Sequence, residues 1–145
     1  MNKNSINSIS PVDGRYYNQT HFLDEFFSEK ALIKFRLQVE VEYFIKLTET
    51  NIVQLKDWKK KDNSLLREIY TKFDNTDAIK IKEIEKTTNH DVKAVEYFIK
   101  SKLQKHTRLK KYTEYIHICC TSEDINNISY GLMVNEAKLM LQKKI

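Results

Sequence analysis

The sequence predicts an all-α fold. Only two glycines and one proline occur in 145 residues, which leaves little material for the tight turns of a β-rich fold. Apolar residues recur at intervals of three and four along several long stretches, which is the spacing of one helix face. Hydrophobic residues at 41% and charged residues at 31% are ordinary for a globular domain. A chain of this length corresponds to about one domain and can bury a reasonable hydrophobic core.

The first half of the chain contains one clear turn and one long helix. The turn is Ser10–Gly14, which contains the single proline and one of the two glycines. Ser28 can cap a helix that reaches about Thr50, with apolar stripes on two faces: Leu32, Phe35, Val39, Tyr43 and Leu47, and Ile33, Leu37, Val41 and Phe44. Because both faces are apolar, we expect this helix to lie between neighbours. Leu37–Tyr43 also alternates like a strand, but the capped length favours a helix.

Shorter helices are predicted in the second half. Residues 51–62 should form a connection with a short helix at most, and Asn63–Phe73 should form the next helix. Asp74–Asp77 provides a break and a cap before Ala78–Glu85. Thr107–Cys120 has helical spacing at Leu109, Tyr112, Ile116 and Cys120, and a last amphipathic helix follows Thr121 to the end of the sequence.

The stretch Lys86–Phe98, KTTNHDVKAVEYF, is the most informative. Thr88 and Asp91 have the spacing of a capping box, and the apolar positions Val92, Val95, Ile99 and Leu103 predict a helix that begins here. His90 should then lie in the first turn, where unpaired N–H groups and a partial positive charge suit a phosphate or carboxylate. An ordinary capped helix with a solvated histidine explains the same residues.

Two other stretches combine polar groups with turns or helix starts. Thr121 and Asp124 again have capping-box spacing, and the Thr121 and Ser122 hydroxyls could cap the helix, bind an anion, or do both. Arg15 and Tyr16 follow the first turn and could surround a phosphate. Alternatively, Arg15 could pair with a surface acid and Tyr16 could pack.

Charge and cysteine content narrow the choice of partner and compartment. The formal net charge is +5, and Lys100–Lys111 holds six basic residues and no acid. Without aromatic interleaving or a recognition motif, a solvated face is favoured over nucleic-acid binding. Cys119 and Cys120 are adjacent, which fits neither a disulfide framework nor a zinc site and indicates a reducing compartment. With no secretory signal and no apolar run of membrane-spanning length, we expect a cytoplasmic protein without membrane contact. His117 is expected to be a packed or half-buried structural histidine.

Three blocks together resemble one known family. SPVDGRY at Ser10–Tyr16, KTTNHDVKAVEYF at Lys86–Phe98 and CTSEDINN at Cys120–Asn127 are similar to the conserved blocks of the adenylosuccinate lyase family, in its bacterial subgroup. The resemblance runs over essentially all 145 residues and covers only the amino-terminal part of the longer family chain. Three blocks in the right order make it specific.

The resemblance implies a fold and an activity. The family belongs to the fumarase/aspartase superfamily of homotetramers built around long helices. Residues 1–110 would be its amino-terminal helical domain, and residues 111–145 would begin the central helical bundle. Family members remove fumarate from adenylosuccinate, giving AMP, and from a succinylated carboxamide purine intermediate, with no cofactor or metal. Each site is assembled from three subunits.

Site residues also follow from the resemblance. The phosphate end of the nucleotide would be held by Arg15 and Tyr16, and the substrate pocket would be lined by Asn89, His90, Asp91, Thr121 and Ser122. The acid histidine and the base serine lie farther along the family chain, so no catalytic residue is expected here. The 145-residue chain alone is therefore expected to be inactive and not to form a stable tetramer. A non-enzymatic helical binding module, or another superfamily lyase such as argininosuccinate lyase or fumarase, remains the alternative.

Overall fold

The computed structural model describes residues 6–144. Its α-helices in chain order are α1 (Tyr17–Thr20), α2 (Asp24–Phe27), α3 (Glu29–Leu47), α4 (Asn63–Thr71), α5 (Asn75–Thr88), α6 (Asp91–Gln104) and α7 (Ser122–Gln142). Short 3₁₀ helices lie at His21–Leu23, Val53–Leu55, Lys60–Asp62 and Lys110–Tyr115. Within this range no strand occurs, so the predicted all-α class is confirmed.

Helix α3 is the centre of the fold. It begins as predicted, because the Ser28 hydroxyl accepts a hydrogen bond from the Ala31 N–H at 3.2 Å. Helices α2, α4, α5, α6 and α7 all contact it, and buried side chains occur on every side of it: Ala31, Ile33, Phe35, Arg36, Leu37, Val39, Glu40, Val41, Phe44 and Ile45. The expectation of a helix between neighbours is therefore confirmed. Two of those ten side chains, Arg36 and Glu40, are charged. Their partners lie near the starts of α6 and α7.

Two apolar cores lie against α3. The larger one combines residues of α3, α4, α5 and α6 with the 3₁₀ segment Lys110–Tyr115. In it, the Trp58 ring packs edge-to-face against Phe44 and against Tyr112, with centroid distances of 5.1 Å in both pairs. The smaller core consists of Val39, Val92 and Ile125, one residue each from α3, α6 and α7. This smaller core lies where the start of α6 meets the start of α7.

The connection between α5 and α6 differs from the prediction. Helix α5 continues to Thr88, so Thr88 is not the cap of the next helix, and the expected Thr88–Asp91 capping box is wrong. The Thr88 hydroxyl instead donates to the His90 carbonyl at 3.1 Å across the turn. Asn89 adopts the left-handed conformation with φ of 50°, a region that asparagine tolerates, and reverses the chain. Helix α6 then begins at Asp91 with His90 as its cap.

The segment Thr107–Cys120 is not the regular helix that its spacing indicated. A 3₁₀ helix covers Lys110–Tyr115, and His117 and Cys119 follow with φ of 65° and 57°. Leu109, Tyr112 and Ile116 are nevertheless buried. Intervals of three and four between apolar residues also suit a 3₁₀ turn followed by an extended residue, because the 3₁₀ helix repeats every three residues.

Much of the basic segment Lys100–Lys111 is paired within the chain. Lys100 contacts Glu96 at 2.9 Å, Lys102 contacts Asp77 at 3.0 Å and Lys111 contacts Asp57 at 3.6 Å. Arg108 pairs with the buried Asp62 through two hydrogen bonds, and this guanidinium holds the pKa of the Asp62 carboxyl below its usual range. The positive charge of the segment is thus largely balanced locally. Across residues 6–144, none of the helices has the length and apolar character needed to cross a membrane.

Replacing Phe44 with alanine should strongly destabilise the protein. Phe44 is fully buried, and a truncation of this kind costs about 3–5 kcal/mol of unfolding free energy because it leaves a cavity. Urea unfolding followed by circular dichroism measures the loss. Phe27→Ala is the matched control, since Phe27 is half exposed and should lose much less. Equal losses in the two variants would contradict the described core.

Candidate functional site

The amino-terminal ends of α6 and α7 meet at the surface. His90 caps α6 and Ser122 is the first residue of α7, and the His90 Nε2 and Ser122 Oγ atoms are 3.3 Å apart. The two residues come from the second and third of the blocks singled out in the sequence. We call the group His90, Asp91, Thr121 and Ser122 the His90–Ser122 junction.

The cap of α6 determines the tautomer of His90. The His90 Nδ1 atom accepts a hydrogen bond from the Lys93 N–H at 3.2 Å. Because Nδ1 accepts, the neutral ring carries its proton on Nε2, the atom that faces Ser122. About half of the side chain is exposed. The His90 Nε2–H therefore donates toward the Ser122 hydroxyl at the surface, and the ring also has a capping role that was not expected from its sequence position.

Thr121 and Asp124 form the capping box that the sequence predicted for α7. The Thr121 hydroxyl accepts from the Asp124 N–H at 3.4 Å, and the Asp124 Oδ2 atom accepts from the Thr121 N–H at 2.7 Å. The hydrogen bond from the Thr121 backbone keeps the pKa of the Asp124 carboxyl below its usual value. The Thr121 hydroxyl is therefore engaged in the cap, whereas the Ser122 hydroxyl faces His90.

Asp91 is also engaged within the chain. Its Oδ1 atom accepts from the Val92 N–H at 2.8 Å, and its Oδ2 atom lies 2.7 Å from Nη2 of Arg36. Burial alone would raise the pKa of Asp91, but the Val92 hydrogen bond and the Arg36 guanidinium outweigh it, so the pKa is lowered. Asp91 is consequently an ionised anchor for the start of α6.

Arg36 is a buried charge that the sequence reasoning missed. Its side chain is 4% exposed, and its Nε atom donates to Oδ1 of Asn126 in α7 at 2.9 Å. A guanidinium so deeply buried needs charged or polar partners; one of its partners, Asp91, belongs to the junction, and the other, Asn126, lies one helical turn after the first residue of α7. The signal in the sequence was the position of Arg36, three residues after Ile33 and three before Val39, which is the spacing of one buried face of the helix.

A shallow hollow adjoins the junction. It has a volume of about 490 Å³ and is lined by Glu29, Lys82, Glu85, Lys86, Asn89, His90 and Asp91. Lys82 pairs with Glu29 at 2.9 Å and with Glu85 at 2.6 Å. The exposed Asn89 amide, the His90 N–H and the lysine ammonium groups are hydrogen-bond donors that suit a carboxylate or phosphate.

Arg15 and Tyr16 lie at a different place on the surface. The Arg15 guanidinium lies over the Tyr16 ring at 4.8 Å, and Arg15 lines a separate hollow with Ser10, Pro11 and Gly14. The predicted turn is present, since the Tyr16 N–H donates to the Pro11 carbonyl at 3.0 Å. A Cβ atom on Gly14 would lie 3.0 Å from Ser8 Cβ and 3.1 Å from the Ser10 carbonyl oxygen, so glycine lets the chain pack closely in this turn. The structure thus brings the second and third blocks together, whereas Arg15 lines a hollow that shares no residue with the one beside the junction.

A second buried charge in α3 holds the chain just before α7. Glu40 is fully buried, and its Oε1 atom lies 2.5 Å from Nδ1 of His117. This hydrogen bond raises the pKa of His117 above its usual value, against the opposing effect of burial. The Tyr43 hydroxyl donates to the Ile118 carbonyl at 2.8 Å in the same loop. His117 is therefore half-buried, as expected, and pairs with an acid that the sequence reasoning did not single out.

Side chains that could ligate a metal ion are not clustered between residue 6 and residue 144. No group of three or more histidine, cysteine, aspartate or glutamate side chains there is arranged to hold a metal ion. Cys119 is exposed and Cys120 is partly buried, and both are free thiols.

A family model described as lyase matches residues 14–145. The chain belongs to the lyase family. The chain is also 47% identical over 150 residues to an adenylosuccinate lyase of Buchnera aphidicola subsp. Schizaphis graminum, covering 100% of this chain and 33% of the relative. Adenylosuccinate lyases of Dictyostelium discoideum and Escherichia coli strain K12 are 52% and 45% identical over 141 and 139 residues. Those alignments cover 92% and 95% of this chain, and 29% and 30% of the relatives.

These comparisons confirm the resemblance that the three blocks suggested. The chain spans about a third of the length of the curated relatives it matches. The matched family region includes Arg15, the His90–Ser122 junction and both buried charges of α3. The junction is therefore part of a lyase-family domain.

Replacing His117 with asparagine should remove a pH-dependent contribution to stability. Asparagine tolerates the left-handed backbone of this position, but it leaves Glu40 buried without a cationic partner, which costs about 3–5 kcal/mol when the pair is charged. The folded-state pKa of His117 is raised, so the stabilisation is fully present below about pH 6.5, the unfolded value, and is lost as pH rises through the folded value.

Urea unfolding of both proteins between about pH 6 and pH 9 measures this difference. The gap in unfolding free energy between wild type and His117→Asn should narrow as pH rises. His106→Asn is the control, because His106 is exposed and should give a gap that does not change with pH. A constant gap for His117→Asn would rule out the charged pair.

Proposed function

We propose that this chain is the amino-terminal part of an adenylosuccinate lyase. Such an enzyme eliminates fumarate from adenylosuccinate to give AMP, and from a succinylated carboxamide intermediate of purine synthesis. The observation that carries the proposal is the meeting of His90 and Ser122, at 3.3 Å, within a chain that is 45–52% identical to adenylosuccinate lyases over nearly all its length. Two residues 32 positions apart in the sequence thereby contribute to one polar surface.

The junction suits the negatively charged succinyl part of such a substrate. The Ser122 hydroxyl and the exposed Asn89 amide are donors, and the His90 Nε2–H, which faces Ser122, is a third donor at the same place. A carboxylate accepts hydrogen bonds from groups of this kind. Because side chains of the chain itself already cap both helices, the ligand would bind through these side-chain donors more than through free backbone amides. Asp91 and Thr121 would orient their neighbours, since their own polar atoms are already engaged.

Arg15 and Tyr16 would hold the phosphate end of the nucleotide. Their position apart from the junction is compatible with this role if a site combines residues of different subunits, as the family resemblance implies. The guanidinium supplies a permanent charge and paired donors for phosphate oxygens. In this arrangement one copy of the chain contributes the phosphate contacts of one site and the succinyl contacts of another.

The reaction also needs an acid and a base that these residues do not supply. In the elimination, the C–N bond breaks, the departing nitrogen gains a proton, and a base takes a proton from the succinyl carbon, which leaves fumarate. By the family pattern, a histidine and a serine farther along a longer chain would perform these proton transfers. The role of this chain would be to bind and orient the substrate.

The proposal extends to domains, assembly and compartment. Residues 1–110 would form the amino-terminal domain and residues 111–145 would begin the central bundle. Exposed apolar side chains on α7, at Ile128, Val134 and Leu139, support packing of this helix in the bundle of a homotetramer. The free thiols Cys119 and Cys120 support a cytoplasmic location, and the partner would be a purine nucleotide without nucleic acid or membrane.

The purified 145-residue chain should not cleave adenylosuccinate, because it lacks the acid and the base. Chromatographic detection of AMP and fumarate after prolonged incubation tests this, with the Escherichia coli relative as the positive control. Cleavage that increases in proportion to the concentration of the 145-residue chain would contradict the assignment of catalysis to residues beyond it. Sequencing the reading frame past Ile145 would show whether a histidine-bearing helical segment and a serine-containing loop follow.

Adenylosuccinate should bind the chain at the junction, and His90→Gln should weaken that binding about tenfold or more. A hydrogen bond to a charged group contributes about 1.5–3 kcal/mol, and tenfold in Kd corresponds to about 1.4 kcal/mol. Titration followed by two-dimensional NMR measures Kd and reports which amides shift.

His106→Gln is the matched control and should bind like wild type. The same titration with argininosuccinate tests the alternative of another superfamily lyase, which would bind argininosuccinate in preference to adenylosuccinate. Unchanged affinity in His90→Gln would favour the non-enzymatic binding module.

A further inference from the structure

Arg36 contacts both helices that meet at the His90–Ser122 junction. Its Nη2 atom lies 2.7 Å from Oδ2 of Asp91, the first residue of α6. Its Nε atom donates to Oδ1 of Asn126, in the second turn of α7, at 2.9 Å. A guanidinium is planar and rigid, so these two bonds fix the two helix ends relative to each other.

We propose that Arg36 is a positioning residue of the candidate site, which sets the separation and orientation of His90 and Ser122 by holding Asp91 and Asn126 at the same time. This role deepens the proposed function and depends on it for its significance in substrate binding. The contacts themselves exist in the protein without ligand, so they can be tested separately.

The path from Arg36 to His90 is short and polar. Arg36 holds one oxygen of Asp91, and the other oxygen accepts from the Val92 N–H at 2.8 Å and lies 3.7 Å from His90 Nδ1. His90 Nδ1 in turn accepts from the Lys93 N–H. If Asp91 loses its buried partner, its carboxylate turns toward solvent, and the first turn of α6 loses the geometry that keeps the His90 proton on Nε2.

The path from Arg36 to Ser122 runs through α7. Asn126 lies four residues after Ser122, about one turn along the same helix, so the bond to Arg36 fixes the rotation of the face that carries Ser122. A lysine at position 36 would keep the charge but could not donate to both partners from one planar group. Charge alone is therefore not sufficient for this role.

Val39 provides a matched apolar control. It lies one turn from Arg36 in α3 and packs with Val92 and Ile125, which belong to the same two later helices. Val39→Ala loosens the same three-helix contact without removing a polar bond. A purely structural role for Arg36 predicts that the two positions affect the junction alike.

The test is ¹⁵N NMR of the histidine rings and Ser122 amide in the ligand-free 145-residue chain at about pH 8, where an ordinary imidazole is neutral. His90→Gln assigns the His90 signals. Wild type should show a protonated Nε2 and an unprotonated Nδ1. In Arg36→Lys the two nitrogen shifts should converge as the tautomer preference is lost, and the Ser122 amide signal should move. Val39→Ala should lower the melting temperature but leave these signals near their wild-type positions.

Asn126→Ala is a second variant, which removes the hydrogen bond from Arg36 by changing the less buried of the two residues. It keeps the test decisive if Arg36→Lys does not fold. It should move the Ser122 amide signal. Unchanged His90 and Ser122 signals in every variant that folds would overturn the proposal. Equal movement in Val39→Ala would also overturn it, since general loosening would then account for the effect.

Titration with adenylosuccinate connects this result to binding. Arg36→Lys should raise Kd about tenfold, and Val39→Ala should stay close to wild type. If wild type does not bind adenylosuccinate, the proposed function fails, whereas the ligand-free spectra still decide whether Arg36 positions His90 and Ser122.

Discussion

The fold depends on the need to pair two charges buried inside one helix. Arg36 and Glu40 lie one turn apart in α3, which is otherwise enclosed by apolar neighbours. A buried charge without a partner costs several kcal/mol, so each of them requires a specific group from elsewhere in the chain. Arg36 takes Asp91 and Asn126, and Glu40 takes His117. The apolar surface of α3 makes the domain compact, and these two charges determine which later segments lie where.

This arrangement explains how a surface site is built on a helical scaffold. The start of α6 and the start of α7 are both held against α3 by a polar contact of Arg36, and the small core of Val39, Val92 and Ile125 packs beside them. The caps of these helices are made by their own side chains, which leaves the His90 Nε2–H and the Ser122 hydroxyl to face each other at the surface. Rigid helix ends hold such donors more precisely than a long loop would.

Local rules predicted much of this from sequence, and tertiary contacts decided the rest. The Ser28 cap, the Thr121–Asp124 capping box and the two-faced burial of α3 follow from spacing that is visible in the sequence. The predicted Thr88–Asp91 capping box was wrong because Thr88 is the last residue of α5 and Asn89 is its carboxyl-terminal cap. Nothing in the spacing of these polar residues shows that Asn89 reverses the chain. The helix expected at Thr107–Cys120 is replaced by a 3₁₀ helix at Lys110–Tyr115 and a loop in which His117 pairs with Glu40, a partner 77 residues away. The partners of Arg36 are 55 and 90 residues away, so no local pattern reveals them.

Trp58 gives the domain a natural optical reporter that separates folding from ligand binding. It is the sole tryptophan of the chain, and its ring packs edge-to-face against Phe44 and Tyr112, with its Nε1–H bound to Asn63 at 2.7 Å. That packing belongs to the large core and not to the small one beneath His90 and Ser122. Its fluorescence should therefore follow the integrity of the large core, while occupancy of the polar surface leaves the emission unchanged.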